Sequence, residues 1–424
     1  MEETMPAEKT GTILVVGGGI SGLTTAVEAA ETGYDVYVVE KGPSMGGRVA
    51  QLNKYFPKLC PPTCGLEINY QRIRKNQRVK YYTLAEVETI TGQPGDYDIT
   101  VKLHPRRVNE NCTACNACVD ACPVERPNDF NFGMDTTKAI YLPHQMAFPM
   151  RYVIDEKACK GGECAKCVEA CKYDAIDLNM EPETISFKVG SVVFATGWDP
   201  YDASKLGILG YGKAKNVITN MMMERYAALN GPTQGKIVKP SDGEAPQTVA
   251  FVQCAGSRDE NHLSYCSYIC CMASLKQSTY IREQYPDAKI TIFYIDLRAP
   301  GRYEKFLNKI EADENVTFIK GKVASIIEDP ETGGVIVKAE DIMGGGIVEQ
   351  KFDMAVLATG MQPTTAEKKL PADLKYDENG LIIEDPNKPG IYATGCAKRP
   401  VDVTTSVKDA TGSALKAIQT MVRR

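Results

Sequence analysis

The stretch TILVVGGGISGLTTAVEAAETGYDVYVVEKG admits few folds. An apolar strand runs into Gly17-x-Gly19-x-x-Gly22, a helix follows with apolar residues at helical spacing, and a second strand, VYVVE, ends on Glu40. This order predicts a βαβ unit with a phosphate-binding turn. The glycines permit a tight turn and a close approach of backbone to a pyrophosphate, which rests on unpaired N–H groups at the helix N-terminus. Glu40, just before Lys41, lies where a carboxylate accepts hydrogen bonds from a ribose. Gly17, Gly19, Ser21, Gly22, Glu40 and Lys41 are therefore the expected cofactor contacts of this unit.

Further segments narrow the cofactor. Ser44-Met45-Gly46-Gly47-Arg48 resembles the second glycine pair of two-dinucleotide-binding flavoproteins. VVFATGWDP (192–200) and AVLATGMQP (355–363) resemble the strand-then-ATG crossings of that superfamily, and GIYATGCAKRP (390–400) resembles the segment that reaches the flavin ribityl chain. The resemblance implies FAD, with Gly47, Arg48, Ala195, Thr196, Gly197, Gly360, Gly395 and Cys396 as additional contacts. Cys396 is a departure, because an Asp often stands there. A second βαβ unit begins at QTVAFVQCAGSRDE (247–260) and continues through SLKQSTYIREQY to the strand KITIFYIDLR. Its first turn reads Cys254-Ala-Gly256-Ser and lacks the three glycines, so the expectation is that NAD(P)H binding has been lost.

Composition bears on the cysteines. The formal charge of −5 with interspersed signs gives no reason to expect nucleic acid, and no apolar run is long enough to span a bilayer. The acidic N-terminus lacks the basic and apolar regions of a signal peptide, which leads to a cytoplasmic expectation. In that compartment fifteen cysteines read as metal ligands rather than disulfides. His104, His144 and His262, the three histidines, read as ordinary surface or packing residues. Cys112, Cys115, Cys118 and Cys122, followed by Pro123, fit the ferredoxin run C-x2-C-x2-C-x3-C-P. Cys159, Cys164, Cys167 and Cys171 repeat it with a longer first gap and Lys172 in place of proline. Two such runs are the signature of a two-cluster ferredoxin, in which the fourth cysteine of each run ligates the other cluster. The expectation is Cys112, Cys115, Cys118 and Cys171 on one 4Fe–4S cluster, and Cys159, Cys164, Cys167 and Cys122 on the second. Zinc is the alternative, but its sites usually pair two CxxC units.

The fold class that follows is α/β: a two-dinucleotide-binding-domain flavoprotein, thioredoxin-reductase-like, with an inserted α+β two-cluster ferredoxin domain. Its expected parts are the first part of the FAD domain (1–105), the insert (106–180), the continuation of the FAD domain (181–246), a second Rossmann-like domain without a glycine fingerprint (247–352) and the last part of the FAD domain (353–424). Flavin exchanges two electrons and a cluster one, so this pairing interconverts two-electron and one-electron chemistry.

With these pieces in place, the chain resembles the heterodisulfide reductase flavoprotein subunits and their shorter relatives, the A subunits of the quinone-interacting membrane-bound oxidoreductase of sulfate reducers. Besides the glycine and cysteine motifs, the resemblance lies in NVITNMMMERYAALNGPTQGKIVKPSDG (216–243), in FVQCAGSRDENHLSYCSYICCMAS and in TIFYIDLRAPGR. It covers nearly all of residues 10–424. Cluster-binding regions that flank this core in long heterodisulfide reductase subunits are not found, which points to the short, quinone-linked form. The resemblance then implies an electron-transfer subunit, cytoplasmic and membrane-associated through its partners. Those partners are adenylylsulfate reductase, a homologous flavoprotein B subunit, and a membrane haem and iron–sulfur C subunit, with menaquinol at the far end. It also implies a third 4Fe–4S cluster on Cys254, Cys266, Cys270 and Cys271; inert buried thiols are the alternative there.

Cys60 and Cys64, in FPKLCPPTCGLE, read as a remnant ligand pair or as packing in preference to a catalytic dithiol, and no residue is assigned a catalytic role. Met221, Met222, Met223 and Trp198 read as packing, and Lys368, Lys369, Arg423 and Arg424 as solvated. Two other functions stay open: a heterodisulfide-reductase-type subunit, bifurcating or not, and a free-standing flavin reductase for NAD(P)H or disulfides.

Overall fold

In a computed structural model of the chain, residues 11–387 and 389–422 are described. The N-terminal segment 1–10, read above for the absence of a signal peptide, and Arg423 and Arg424 lie outside the described residues.

The strand Thr12–Val16 is buried along its middle and pairs in parallel with Asp35–Glu40 on one side and Ser191–Phe194 on the other. Val79–Thr83 and Ile391–Ala393 complete a five-stranded parallel sheet, in the order 391–393, 191–194, 12–16, 35–40, 79–83. Strands covered on both faces read as continuous apolar runs, as TILVV and SVVF do. One face packs under the helix Ile20–Glu31 with Leu23, Val27 and Val193; the other packs Leu14, Val39 and Val192 against the antiparallel strands Ala85–Gln93, Asp96–Leu103 and Glu183–Val189.

A second five-stranded parallel sheet has the order Val217–Thr219, Met354–Thr359, Thr248–Ala255, Lys289–Tyr294, Val316–Lys320. The helix Cys270–Gln284 crosses between its strands and begins four residues before the sequence-predicted SLKQSTYIREQY. A three-stranded antiparallel sheet, Val323–Glu328, Val335–Asp341 and Gly346–Phe352, closes this unit. The two ATG segments run side by side where the chain passes between sheets, Trp198–Pro200 pairing antiparallel with Met361–Pro363.

Between Leu103 and Glu183 the chain forms a small unit with an internal repeat. Short helices Ala117–Ala121 and Lys166–Ala170 each start from a residue in the left-handed region, Asn116 at φ 72° and Ala165 at φ 43°, placed directly after the second cysteine of each run. Asn tolerates that conformation and Ala does so at a cost, so the repeat is held by the surrounding structure. Cys118 and Cys167, the third cysteine of each run, are buried in this unit's apolar core beside Val108, Ile140 and Ile154. No helix of the described residues is long and apolar enough to cross a membrane.

Candidate cofactor sites

The glycine turn has no room for side chains. Gly17 lies at φ 109°, and a Cβ on it would collide with the carbonyl of Ala195; a Cβ on Gly22 would collide with the carbonyl of Gly17. Gly19 is bridged to Gly46, whose N–H donates to Gly18 O at 2.9 Å, so the second glycine pair lies directly on the first turn. Gly47, at φ 55°, faces the Cα of Gly19. Glu40 accepts hydrogen bonds from Gly18 N–H and, at 2.7 Å, from Gly42 N–H. Burial still pushes its carboxyl above the ordinary range against the pull of these two donors.

Ala195 follows the strand Ser191–Phe194 and lies against Gly17, while the hydroxyl of Thr196 is buried without a hydrogen-bond partner. An orphaned hydroxyl beside a bare backbone cradle is what a dinucleotide crevice offers its ligand. Arg48 pairs with Asp199 and donates through Nε to Trp198 O at 3.3 Å, so the second glycine pair is joined to the first ATG crossing. Two expected contacts stand apart from this crevice. Lys41 is exposed, with Nζ 3.7 Å from Glu86, and Gly360 faces Ser257, Leu263 and Ser267 of the second unit rather than the first turn.

Cys396, at the position where an Asp often stands, is buried, and burial pushes its thiol up to about 11. An acid from another element packs against this segment. Asp409, on the C-terminal helix Val403–Val422, accepts from Gly395 N–H at 2.8 Å, from the Thr394 hydroxyl at 3.2 Å and from Lys398 Nζ at 3.0 Å. Desolvation pushes this carboxyl up, but the Gly395 and Lys398 contacts outweigh it and the net displacement is downward. A depressed folded pKa gives stability that is present above the unfolded value near 4 and is lost as the pH falls through the folded value. Acidification below about 4 is therefore expected to loosen the 394–398 segment, and Asp409→Asn to remove that acid dependence, as read by thermal denaturation across pH.

An apolar cavity opens between the two sheets. Arg48, Val49 and Trp198 line it from the first unit, Met221, Met272 and Met361 from the second, with Tyr268 and Ile269 from the segment ahead of Cys270. Trp198 and Met221 thus face a cavity rather than only filling core. Lys276 and Glu224 form a buried ion pair in its wall at 3.0 Å, and Gln277 donates to Glu224 at 2.6 Å. Sequence reasoning missed this pair and Asp409; a charged residue within a helix has no periodic signal to distinguish it from a solvated one.

The cysteines gather as three sets. Burial, with Cys112 and Cys115 nearby, pushes the Cys118 thiol up to about 12. Cys167 is raised by burial and by Cys159 and Cys122, and a small apolar cavity is lined by Cys122, Cys159, Cys164 and Cys167 with Ile140 and Ile154. The fourth cysteine of the first run therefore lies with the second run. Cys171 packs into the same core, with Ala175 N–H pointing at its sulfur at 3.4 Å, and Gly161 N–H points at Cys159 at 3.4 Å. In the third set Cys270 is fully buried and raised by burial and by Cys254, Cys271 and Cys266. Cys254 is held in the left-handed region at φ 56°, and burial pushes it up to about 11. Clustered, buried thiols disfavour the anionic form, and a cationic metal core reverses that preference. Among the described residues, no three His, Cys, Asp or Glu side chains are placed to hold a single metal ion.

Cys60 and Cys64 belong to none of these sets; both flank Tyr55, and Cys64 is exposed. His104 is exposed, His144 is half-buried beside Ser44 at 3.3 Å, and His262 meets the Tyr201 hydroxyl at 2.9 Å.

The profile of an NAD(P)-binding Rossmann-like domain matches residues 15–68. Thioredoxin reductase of Lactococcus lactis superposes with a TM-score of 0.54 at 16% identity, covering 97% of this chain and 99% of its own. A bacillithiol disulfide reductase of Bacillus cereus gives 0.52 at 13%, covering 97% and 98%. The fold is that of a thioredoxin-reductase-like flavoprotein. Within that class the chain belongs to the heterodisulfide reductase A family. It is 40% identical over 428 residues to the second A-type iron–sulfur subunit of CoB–CoM heterodisulfide reductase from Methanopyrus kandleri, covering 98% of this chain and 65% of that protein. It is 38% identical over 423 residues to the A-type subunit of the H2:CoB–CoM heterodisulfide, ferredoxin reductase of Methanothermobacter thermautotrophicus, covering 97% and 64%. The chain spans just under two thirds of these relatives' length, and both are oxidoreductase subunits.

Proposed function

We propose that this chain is an electron-transfer subunit holding FAD and three 4Fe–4S clusters, and that it works inside a larger complex. The observation that supports this most is the placement of Cys122 with Cys159, Cys164 and Cys167, the crossed arrangement of a two-cluster ferredoxin. In this reading Gly17, Gly19, Ser21 and Gly22 cradle the pyrophosphate, Glu40 receives the ribose, and Gly47, Arg48, Thr196, Gly395 and Asp409 line the path toward the cavity. Bound there, flavin supplies two-electron chemistry and the clusters one-electron steps.

The chain's own residues exclude water from the cavity with Val49, Trp198, Met221 and Met361, and hold a fixed ion pair, Lys276 with Glu224, in its wall. Tyr268 and Ile269 reach that cavity from the strained segment between Cys266 and Cys270, which places the third cysteine set beside it.

The end of the strand Thr248–Ala255 and the turn after it support the loss of NAD(P)H binding: Cys254, next to last in the strand, is left-handed, and a Cβ on Gly256 would meet the Tyr201 ring at 2.7 Å. NADH is accordingly expected to leave the flavin absorbance of the anaerobic holoprotein unchanged, whereas dithionite bleaches it. Bleaching by NADH would instead support a free-standing reductase.

The finer reading is that electrons pass between menaquinol and adenylylsulfate reductase, the other partners being a membrane C subunit, together with a homologous flavoprotein B subunit. Segments 216–243 and 251–274 carry a resemblance shared by the heterodisulfide reductase flavoproteins and their short, quinone-linked relatives, and the finer reading takes the second of these. Anaerobic affinity purification from the native host tests it: recovery with adenylylsulfate reductase and a haem-containing membrane subunit is expected. Recovery with a heterodisulfide-reducing subunit would replace it by the heterodisulfide reductase role of the curated relatives, bifurcating or not.

A further inference from the structure

Two buried arginines flank the loop after Glu40, and neither forms an ion pair among the described residues. Arg225 joins Gln51, Asn131 and Asn230 through hydrogen bonds of 2.7–3.2 Å, and acids stand nearby, Asp135 and Glu224. Arg106 differs. The groups that act on it most are Arg151, Tyr141, Cys112 and Tyr81, and the nearby Glu110 is held instead by Arg151, at 3.5 Å.

Arg106 is 7% exposed, and its guanidinium is fixed at both ends. One nitrogen donates to Pro43 O, directly before the second glycine pair, and to the Thr83 hydroxyl at 2.8 Å, at the end of an outer strand of the flavin-side sheet. The other donates to Arg151 O at 3.1 Å and Tyr152 O at 3.3 Å, just ahead of the short strand Val153–Ile154 of the insert. Tyr152 in turn donates its hydroxyl to Asn116 at 3.0 Å, between Cys115 and Cys118, and stands close to Cys112, Cys115 and Cys118. The positive charge thus lies between the first cysteine set and the loop carrying Ser44–Arg48.

A buried guanidinium without a counter-charge is costly, and hydrogen bonds to carbonyl dipoles meet only part of that cost. A cluster with four thiolate ligands carries net negative charge, which grows on reduction. We propose that Arg106 is the counter-charge of the cluster held by Cys112, Cys115 and Cys118, that it raises this cluster's reduction potential by stabilising the reduced form, and that it thereby makes this set the insert's electron entry from the flavin side. The proposal rests on the reading that this set holds a cluster.

The test is an EPR-monitored redox titration of the full anaerobic holoprotein, with iron, sulfide and FAD counted in each variant. The first cluster is identified as the signal altered by Cys115→Ser. Arg106→Met removes the charge, and Thr83→Asp leaves the arginine in place while setting a carboxylate against it. Both are expected to lower the midpoint of that one signal and leave the others unmoved. Arg106→Lys, which keeps the charge and loses the forked hydrogen bonds, is expected to leave it near wild type. An unmoved midpoint in Arg106→Met and Thr83→Asp would overturn the proposal, and so would an equal fall in Arg106→Lys or a common shift of all clusters. If Arg106→Met does not fold, Thr83→Asp decides alone. A wild-type protein without any Cys115-dependent signal would overturn the cluster reading itself.

Discussion

Cys122→Ala is expected to destroy the cluster of the second cysteine run and to leave that of the first, although Cys122 belongs to the first run in sequence. In the structure it lines one cavity with Cys159, Cys164 and Cys167, and the Cys167 thiol feels Cys122 and Cys159 together. The apolar wall of that cavity, Ile140 and Ile154, offers no replacement ligand. The expected loss is about four of roughly twelve iron atoms per chain, counted as three four-iron clusters. Cys115→Ala is expected to remove a different EPR signal from Cys122→Ala. If the two variants lose the same signal, the ligands are not crossed and each run closes on itself.

Gly22→Val has the second large effect. The position has no space, since even a Cβ collides with the carbonyl of Gly17 and approaches the Val15 side chain at 3.3 Å. Forcing a branched side chain into a packed site costs roughly 1–3 kcal/mol or more. Here the displaced backbone is the turn that would hold the pyrophosphate. FAD occupancy is expected to fall by at least an order of magnitude while the cysteine sets, on separate elements, keep their iron. Gly11→Val, at a position with nothing within 4 Å, serves as the control and is expected to retain FAD. A variant at Gly22 that keeps both its flavin and its melting temperature would show that the turn is not a binding cradle.

Much of this is legible in the amino-acid sequence. The first turn can be placed because glycines answer to local backbone requirements, and Gly22 and Gly17 do so here through collisions five residues and a sheet neighbour away. The two ferredoxin runs are legible because cluster ligation imposes a fixed spacing on a short stretch of chain. Asp409 is not, because it reaches Gly395 from fourteen residues downstream on another element, and only the packing of the C-terminal helix brings it there. Glu224 and Lys276 likewise come from different helices. Lys41 and Gly360 are expected contacts by adjacency in sequence to a binding motif, but in the structure the Lys41 side chain is exposed while Gly360 packs against Ser257, Leu263 and Ser267. Arg106 carries no signal at all, since a buried arginine is indistinguishable in sequence from a surface one.

The central claim is that one chain joins a two-electron flavin to several one-electron clusters. It is tested most directly by an anaerobic reductive titration of the purified holoprotein, with flavin absorbance and cluster EPR followed together and iron and FAD counted on the same sample. The account predicts one FAD, about twelve iron atoms and uptake of about five electrons per chain, two by flavin and one by each cluster. Uptake of about two electrons by flavin alone, with zinc or no metal bound at the cysteines, would contradict it.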